Sequence, residues 1–363
     1  MKVLFEGLSP NIGGIETATY SICKYLIKDG HEVSFLVDSN LQIAYQDEYE
    51  KHGCKIFRVE NRKKSYTKYL NDLKEVYSEN NFDIIHINVM SYSLFERILY
   101  AYKYSKAKVV VHSHFTGYSS GYYRTRFLHQ VGKLILDKNK FYKIACGKAA
   151  GDYMFENSEY TIINNGIDID RFKFSEEKRD EIRHEFGIED DTKVILDVSR
   201  FAPVKNHEFL IDIFTEYLKL NENSKLILIG EGEEKESILQ KVKELNIENR
   251  VIFAGQRTDT NKIYSAADVY VIPSKDEGLN ISVCEAQING LKCFMSTNVD
   301  TRSNITGNVK FLSLEETPKK WAEEIFKCDK RDKDILEKIP DEYKLDNTNL
   351  KLYEFYNKIL KEG

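Results

Sequence analysis

Short apolar runs alternate with longer segments in which apolar residues recur at helical spacing, and this alternation extends along nearly the whole chain. The short runs are typical of buried strands, and the longer segments are typical of amphipathic helices. The predicted strands cover residues 2–6, 32–37, 56–59, 84–88, 108–112, 143–146 and 161–163 in the first half, and 193–199, 225–229, 251–254, 269–272, 292–295 and 309–312 in the second half.

Helical patterns lie between these strands. They cover residues 16–28, 66–79 and 94–103 in the first half, 207–220, 233–245, 261–267, 281–289 and 318–326 in the second half, and 347–360 near the C-terminus. Strands that alternate with helices in this way form βαβ units and parallel sheets. In such sheets, ligands bind outside the carboxyl ends of the strands.

A change of composition near residues 164–166 indicates a domain boundary. We therefore expect an α/β protein with two Rossmann-like, doubly wound domains, at residues 1–165 and 171–345, that face each other across a cleft. The amphipathic helix at residues 346–363 is expected to be a separate C-terminal element that can pack back on the first domain.

The composition indicates a protein with a large buried core. Of the 363 residues, 42% are hydrophobic and 31% are charged, which excludes global disorder. No apolar run approaches the roughly 20 residues of a membrane-spanning helix, and no signal peptide is visible, so we expect a cytoplasmic protein. The six cysteines are scattered without a C-x-x-C motif, which predicts reduced thiols.

Positive charge is concentrated in one segment. The net charge is −5, yet residues 97–148 contain 11 Lys and Arg residues and a single acid, Asp137. Such a field attracts phosphates or anionic lipids, whereas an acidic chain without a nucleic-acid motif does not indicate a nucleic-acid partner. Residues 121–143 have the composition of a helix on an anionic membrane surface. The alternative is an ordinary helix that buries its apolar side chains in the core, namely Phe127, Val131, Leu134 and Ile135.

Two cations lie in the loop between the first strand and the first long helix of the second half. Arg200 and Lys205 are five positions apart in the sequence. Two cations above a strand end suit a diphosphate, whose charge grows as it leaves, and the alternative is a pair of solvated cations. Gly230 and Gly232 follow the next strand. Gly230 would let a nucleotide approach, whereas a tight turn explains Gly232.

The segment from Pro273 to Glu285 combines two carboxylates with a helix N-terminus. Seven residues separate Glu277, in a loop that contains Gly278, from Glu285, which lies inside the next helix. The unpaired N–H groups of such a terminus bind phosphate. Carboxylates suit hydroxyl groups instead, so Glu277 and Glu285 would contact a sugar and a ribose. The alternative is a loop acid and a helical acid without a ligand.

These motifs, in this order, resemble those of the retaining glycosyltransferases of family 4, which have the two-domain GT-B fold. The resemblance extends over nearly the whole chain, and the subgroup that it indicates makes bacterial capsular polysaccharide or exopolysaccharide. The matching motifs are Gly13-Gly14-Ile15-Glu16, Asn165-Gly166-Ile167-Asp168, Arg200 with Lys205, Gly230-Glu231-Gly232, and Glu277 with Glu285.

The resemblance implies a role for each matching residue. Catalytic roles are implied for His114, Arg200, Lys205 and Glu277. Roles in binding the nucleotide-sugar are implied for Gly13, Gly14, Arg200, Lys205, Gly230, Gln256, Arg257, Gly278, Leu279, Asn280 and Glu285. The chain departs from the usual family residues at Asn164, Ser199, Asn280 and Ser303, which leaves the choice of sugar open.

The resemblance also implies a reaction and its partners. The donor would be a UDP-hexose or a UDP-N-acetylhexosamine, and transfer would proceed with retention by same-face substitution. The acceptor would be a glycan, in particular a lipid-diphosphate-linked glycan at the inner face of the cytoplasmic membrane. No cofactor is implied. A UDP-sugar 2-epimerase and a non-catalytic glycan-binding subunit of the same fold are the alternatives.

No metal site is expected from the sequence. Asp168-Ile169-Asp170 has the D-x-D pattern of metal-dependent transferases, but it lies in the hinge motif and is interpreted as structural. His112 and His114 can share one face of a strand, but no third ligand accompanies them.

Overall fold

The computed structural model describes residues 1–115, 123–277, 280–328 and 331–362. Within these residues, the strands form two parallel sheets of seven and six strands. The first sheet contains β1 (Lys2–Glu6), β2 (Glu32–Asp38), β3 (Lys55–Val59), β4 (Ile84–Val89), β5 (Lys108–Ser113), β6 (Tyr142–Ala145) and β7 (Thr161–Ile162). The second sheet contains β8 (Lys193–Val198), β9 (Ser224–Ile229), β10 (Val251–Gly255), β11 (Val269–Ile272), β12 (Lys292–Ser296) and β13 (Val309–Leu312).

Fourteen α-helices accompany the strands in the described part of the chain. The first six are α1 (Gly14–Lys28), α2 (Gln46–Lys51), α3 (Tyr66–Glu79), α4 (Phe95–Tyr104), α5 (Tyr123–Ile135) and α6 (Lys148–Phe155). The others are α7 (Ile169–Phe172), α8 (Glu176–Glu185), α9 (His207–Leu218), α10 (Lys235–Glu244), α11 (Thr260–Ala266), α12 (Ile281–Ile288), α13 (Pro318–Phe326) and α14 (Leu345–Lys361). The predicted strands and helices are all confirmed, and α2, α6, α7 and α8 were not predicted.

Both sheets have a doubly wound strand order. The first is β3-β2-β1-β4-β5-β6-β7 and the second is β10-β9-β8-β11-β12-β13. The order reverses between β1 and β4, and between β8 and β11. At such a reversal, neighbouring loops leave the carboxyl ends of the strands in opposite directions and open a crevice for a ligand. The predicted α/β fold with two Rossmann-like sheets is confirmed.

The strands form because their sequences are apolar on both faces. In β5, the run Val109-Val110-Val111 is fully buried, as expected for a central parallel strand with helices on both sides of the sheet. Side chains that accept from free backbone N–H groups mark the starts of several helices, such as Ser65 before α3 and Thr317 before α13. Local sequence and burial therefore favour the same elements.

The chain divides into two compact units. The first unit comprises Met1–Gly166 together with Glu342–Gly363, and the second comprises Ile167–Asp341. Each unit contains one of the two sheets and has its own apolar core. In the second unit, the buried Trp321 packs edge-on against Phe209 at a centroid distance of 5.9 Å.

The C-terminal helix α14 completes the core of the first unit. It lies against α1, and its side chains Leu352, Tyr356 and Ile359 are buried. Gly166 is needed for this packing, because a Cβ atom at that position would lie 2.1 Å from Thr348 Oγ1. The glycine of the Asn165-Gly166-Ile167-Asp168 motif therefore has a structural role at the start of α14.

Close backbone contacts hold the strand ends of the second sheet together. Gly230 follows β9 with a φ of +142°, and a Cβ atom there would lie 2.1 Å from the carbonyl oxygen of Ser199. Gly232 approaches Phe201 in the same way, with a φ of +157° and a corresponding distance of 2.3 Å. Through these contacts, the loop after β9 packs closely against the loop after β8. They confirm the explanation of Gly232 as a residue of a tight turn.

Replacing Gly230 with alanine is expected to destabilise the second unit. Gly230→Ala combines a positive φ with a backbone clash, so the free energy of unfolding should fall by about 2–4 kcal/mol. Gly187→Ala is the matched control, because Gly187 also has a positive φ but nothing lies within 4 Å of its Cβ position. The control should lose only about 1 kcal/mol. Equal losses for the two variants in urea unfolding would contradict the contact described above.

Candidate active site

The loop between β8 and α9 carries the two predicted cations, and one of them forms an ion pair. Lys205 Nζ donates to Glu277 Oε1, and the two side chains are 21% and 11% exposed. Glu277 lies in the loop after β11, the neighbour of β8 in the sheet. The structure therefore brings these two predicted residues together at the carboxyl ends of adjacent strands.

Two polar side chains orient Glu277. Ser274 Oγ donates to Glu277 Oε1 at 2.8 Å, and Asn280 Nδ2 donates to Glu277 Oε2. Asn280 Oδ1 accepts from the backbone N–H of Val283 at 3.1 Å and so caps α12. The backbone N–H of Asn280, which was expected to face the donor, donates to Ser303 Oγ at 2.9 Å. Gly278 and Leu279 lie outside the described residues.

Arg200 is exposed to solvent. Its side chain is 67% exposed, and its guanidinium lies 3.9 Å from Glu233 Oε1. An exposed pair at this distance contributes little to stability, so the guanidinium can reorient at little cost. The structure thus pairs Lys205 with Glu277, whereas Arg200 points into solvent.

Sequence reasoning missed the polar group that holds the base of this loop. Ser199 Oγ donates to Asp197 Oδ1 at 2.6 Å and lies 3.2 Å from His207 Nε2. The ring of His207 also stacks on Phe201, with centroids 4.2 Å apart. These residues tie the end of β8 to the start of α9. The sequence signal for this group was Asp197, an acid within a strand that is otherwise apolar.

Glu285 lies on α12, where Tyr264 holds its carboxyl group. The Tyr264 hydroxyl donates to Glu285 Oε2 at 2.9 Å. Burial raises the pKa of Glu285 to about 7, and the hydrogen bond from Tyr264 and the charge of Arg171 oppose this shift only in part. The carboxyl group therefore loses its proton near neutral pH. Its ionised form accepts hydrogen bonds from hydroxyl groups. Tyr264 was not predicted.

Gln256 and Arg257 follow β10, and they differ in their surroundings. Gln256 is exposed. Arg257 forms ion pairs with Glu185 at 2.6 Å and with Asp259 at 2.8 Å, and these two carboxylates raise the pKa of Arg257. The guanidinium of Arg257, which is expected to bind the nucleotide-sugar, is therefore occupied by carboxylates of the protein.

The predicted glycine loop of the first unit immediately precedes α1. Gly13 is the N-cap residue of α1, and Gly14 is its first residue. Glu16, in the first turn, accepts from the backbone N–H of Ser9 at 3.0 Å, so its carboxylate fastens the loop. A Cβ atom at Gly13 would lie 2.9 Å from Glu16 Oε2. The motif therefore builds a compact loop at a helix N-terminus near the carboxyl end of β1.

His114 lies just after β5. Its Nε2 is 2.9 Å from Asn88 Oδ1, and burial lowers the pKa of His114 to about 3. The imidazole is therefore neutral at physiological pH and can exchange hydrogen bonds with a hydroxyl group. Asn165 and Gly166 line the same small cavity as His114.

The two acids of the D-x-D pattern occupy structural positions. Asp168 Oδ1 accepts from the backbone N–H of Arg171 at 2.9 Å and caps α7. Asp170 pairs with Lys173 at 2.8 Å. In the described ranges, no group of three or more His, Cys, Asp or Glu side chains is placed to hold a metal ion.

Helix α5 exposes apolar side chains that the core interpretation would bury. Leu134 is 87% exposed and Phe127 is 67% exposed. The buried face of the helix is formed by His129 and Gly132 instead. The alternative interpretation, in which α5 buries these side chains in the core, is therefore wrong for Phe127, Leu134 and Ile135, and Val131 is half-buried. Among the helices of the described residues, none has the length and hydropathy that crossing a bilayer requires.

Two family models match the chain, one on each half. The model described as Glycosyltransferase Family 4 matches residues 12–171, and the model described as Glycosyl transferases group 1 matches residues 178–334. Together they cover nearly the whole chain.

Individual proteins are similar as well. EpsF of Bacillus subtilis (strain 168), which is named as a glycosyltransferase, is 29% identical over 89% of this chain and 86% of EpsF. An Escherichia coli protein named UDP-Gal:alpha-D-GlcNAc-diphosphoundecaprenol alpha-1,3-galactosyltransferase is 29% identical over 41% of this chain and 37% of its own length.

A solved structure shares the fold. The crystal structure of Anabaena Alr3699/HepE in complex with UDP-glucose matches with a TM-score of 0.77 at 19% identity, over 99% of this chain and 100% of HepE. This likeness shows that the chain has the GT-B fold.

The raised pKa of Glu285 predicts an effect of pH on stability. The folded-state value of about 7 lies above the ordinary value of 4.5, so the folded protein holds this proton more tightly than the unfolded chain. The free energy of unfolding therefore falls as the pH rises through this range. Glu285→Gln removes that penalty and should stabilise the protein by about 1–3 kcal/mol above pH 7.

Thermal unfolding at a series of pH values tests this expectation. The gain from Glu285→Gln should be largest at pH 8 and should vanish towards pH 4.5. Glu316→Gln is the control, because Glu316 is exposed and its substitution should change the midpoint little at either pH. A Glu285→Gln variant that is less stable than the wild type at pH 8 would show that the buried carboxyl group carries no penalty.

Proposed function

The chain belongs to glycosyltransferase family 4, and from this premise we propose that it is a retaining enzyme that transfers a sugar from a UDP-sugar to a hydroxyl group of a glycan. The observation that carries the proposal is the ion pair of Lys205 with Glu277 beside the start of α12. A cation, a carboxylate and a helix N-terminus at one strand reversal suit the diphosphate and the hydroxyl groups of a nucleotide-sugar.

The alternatives are not favoured. EpsF and the Escherichia coli relative are both named as glycosyltransferases. A non-catalytic glycan-binding subunit would also have no need for a partly buried cation paired with a carboxylate at this position.

We assign the donor diphosphate to Lys205 and Arg200. Lys205 is partly buried and pairs with Glu277, and Arg200 is exposed beside a distant acid, so a bound diphosphate would give Lys205 a second anionic partner and Arg200 a close one. Negative charge on the diphosphate grows as its bond to the sugar breaks. The two contacts therefore strengthen in the transition state, where they accelerate the reaction.

Hydroxyl groups of the donor are assigned to three other side chains. Glu277 is proposed to contact the sugar, and Glu285 is proposed to accept from the ribose hydroxyls in its ionised form. His114, which is neutral, is proposed to contact the donor sugar. The other predicted binding residues stay predictions, namely Gly13, Gly14, Gly230, Gln256, Arg257, Gly278, Leu279 and Asn280.

In the proposed reaction, the bond between the anomeric carbon and the diphosphate breaks, and its electron pair goes to the diphosphate. The acceptor hydroxyl attacks the oxocarbenium-like carbon from the same face and gives its proton to a diphosphate oxygen. A double displacement would instead need a carboxylate nucleophile at the anomeric carbon. The acids that end β1 and β2, Glu6 and Asp38, are both bound by Arg97, which supports the same-face route.

The choice of donor and acceptor rests on relatives. HepE was crystallised with UDP and with UDP-glucose, which supports a UDP-sugar donor. The Escherichia coli relative is named for an acceptor linked to diphosphoundecaprenol, which supports a lipid-diphosphate-linked glycan. We propose a role in assembling capsular polysaccharide or exopolysaccharide, consistent with the resemblance to EpsF.

A lipid-linked acceptor requires the enzyme to reach a membrane, and we propose that α5 makes this contact at the inner face of the cytoplasmic membrane. Phe127 and Leu134 are among the most exposed large apolar side chains in the described residues. Arg124 and Arg126 are exposed on the same helix. Exposed apolar and cationic side chains on one helix are typical of binding to anionic lipid.

Removing either cation is expected to abolish most of the turnover. Lys205→Ala and Arg200→Ala should each lower kcat about 100-fold in a UDP-sugar transfer assay, because each removes a charge that stabilises the leaving diphosphate. The circular dichroism spectrum should stay that of the wild type. The assay contains EDTA, because the proposed reaction needs no metal ion.

Lys219→Ala serves as the control for loss of a lysine. Lys219 is exposed and pairs with Glu216 three residues away, so its removal should leave the rate within twofold of the wild type. Rates close to the wild type for both Lys205→Ala and Arg200→Ala would refute the assignment of the diphosphate. Loss of all wild-type turnover in EDTA would refute the metal-independent route.

Flotation with vesicles tests the membrane contact. The wild type should float with equimolar phosphatidylglycerol and phosphatidylcholine at low salt, and Phe127→Ser with Leu134→Ser should lower the bound fraction at least about tenfold. Leu220→Ser in the second unit is the control, because Leu220 is also exposed, at 42%, but does not belong to α5. Failure of the wild type to float would count against the contact.

A further inference from the structure

Three histidines lie together in the first unit, and the C-terminal helix contacts them. His86 Nε2 is 3.2 Å from His112 Nδ1, and the rings of His112 and His114 have centroids 4.0 Å apart. Tyr356 of α14 places its hydroxyl 2.7 Å from His86 Nδ1. The contacts form a continuous path from the C-terminal helix to the predicted active-site histidine.

All three imidazoles are neutral at physiological pH. Burial lowers the pKa of His86 and of His114 to about 3, and burial with its two histidine neighbours holds the pKa of His112 well below its usual value. A neutral imidazole has one N–H group and one lone pair. Each hydrogen bond between two rings therefore has a donor side and an acceptor side, so the tautomer of one ring determines that of the next.

Asn88 sets the tautomer of His114. Asn88 Nδ2 donates to the backbone carbonyl of Glu6 at 3.0 Å, and a carbonyl oxygen can only accept. Asn88 Oδ1 therefore faces His114 Nε2, which carries the proton. His114 Nδ1 and Asn165 Oδ1 make no hydrogen bond of ordinary geometry in the described part of the chain. The Asn165 side chain opposes the fall in the pKa of His114, and both residues line a cavity of about 30 Å³.

Tyr356 sets the tautomers of the other two histidines. The backbone of Ile163 interacts favourably with a proton on His112. The geometry gives the same direction, because the Tyr356 hydroxyl has no other hydrogen-bond partner in the described residues and so donates to His86 Nδ1. His112 Nε2 then carries the proton of that ring and, within the described ranges, has no acceptor at hydrogen-bond distance. His112 Nδ1 then accepts from His86 Nε2, and His86 Nδ1 accepts from the Tyr356 hydroxyl. The two hydrogen bonds therefore run in one direction, from Tyr356 through His86 to His112.

We infer that Tyr356 is a positioning residue for His114: its hydroxyl holds His86 and His112 in the Nε2–H tautomers, and the His112 ring held in this way supports the His114 imidazole. The inference deepens the proposed function and rests on it for the role of His114 at the donor sugar. It assigns part of the environment of that histidine to a helix about 240 residues further along the chain.

Removal of the Tyr356 hydroxyl has a consequence at each step of the path. His86 Nδ1 loses its donor, and a buried acceptor without a partner is unfavourable. His86 can then move its proton to Nδ1, and His112 must do the same to keep their shared hydrogen bond. His112 Nε2 would then have no proton for its favourable interaction with the Ile163 backbone, so the ring is held less firmly and His114 loses its support.

The same helix offers a matched control. Tyr353 donates to Asp29 Oδ2 at 2.7 Å and contacts the rings of Tyr25 and His31, all of them outside the histidine path. Tyr356→Phe and Tyr353→Phe each remove one hydroxyl group and keep the aromatic ring. Each variant therefore loses one hydrogen bond made by α14. Only the bond lost in Tyr356→Phe belongs to the histidine path.

Long-range ¹H–¹⁵N NMR of the full chain reports the tautomers directly. We expect His86 and His112 to be protonated at Nε2 in the wild type and in Tyr353→Phe. In Tyr356→Phe, the ring ¹⁵N shifts of both should move towards the Nδ1–H form. We also expect Tyr356→Phe to lower kcat about tenfold with little change in the KM for the donor, and Tyr353→Phe to stay within twofold.

A second variant keeps the test decisive if Tyr356→Phe loses stability. His86→Gln removes the next group in the path and should lower kcat to a similar extent. The kcat of the double variant should be no lower than that of the less active single variant, because both changes interrupt one path. Additive losses in the double variant would overturn the inference.

Two results separate this inference from the proposed function. Ring shifts of His86 and His112 that stay the same in Tyr356→Phe would overturn the inference even if the enzyme is active. Changed shifts with a kcat within twofold of the wild type would overturn the positioning role. If the wild type transfers no sugar at all, the proposed function fails, and the positioning role of Tyr356 is overturned with it, whatever the shifts show.

Discussion

The reversal of strand order beside the first strand of each sheet is the constraint on which the rest of the structure depends. Loops leave the carboxyl ends in opposite directions between β1 and β4 and between β8 and β11, so polar groups at these ends are accessible to a ligand. Lys205 and Glu277 lie at this position in the second unit, and Asn88 lies at it in the first. Lys205 and Glu277 thus lie in loops that follow the ends of buried strands.

The two units differ in the charge of the side chains that are proposed to bind the substrates. The second unit holds an ion pair, and its Glu285 titrates near neutral pH. The first unit presents histidines that stay neutral. A buried charge is unfavourable unless it is paired and hydrogen-bonded, which explains why Ser274 and Asn280 surround Glu277. In the proposed function, the cation of Lys205 suits the diphosphate, whereas the carboxylate of Glu285 and the neutral imidazole of His114 suit hydroxyl groups.

Several residues of the family motifs serve the fold before they serve a ligand. Gly166 lets the C-terminal helix pack closely, Gly230 lets two loops touch, and Asp168 caps α7. A match to these motifs therefore indicates a particular backbone arrangement as well as particular functional groups. The C-terminal helix shows the same overlap, because the packing that buries Tyr356 in the core also brings its hydroxyl to His86.

Local pattern was enough to predict every strand, because parallel strands covered on both faces leave continuous apolar runs such as Val109-Val110-Val111. Turn residues and charges within a few positions also indicated Lys205 and Glu277. Contacts between distant segments were not predictable. Tyr356 and His86 are 270 residues apart, and periodicity showed that α5 has apolar residues but not whether anything covers them. Such contacts depend on which surfaces meet after the chain has folded, and a pattern of period two or 3.6 carries no information about that.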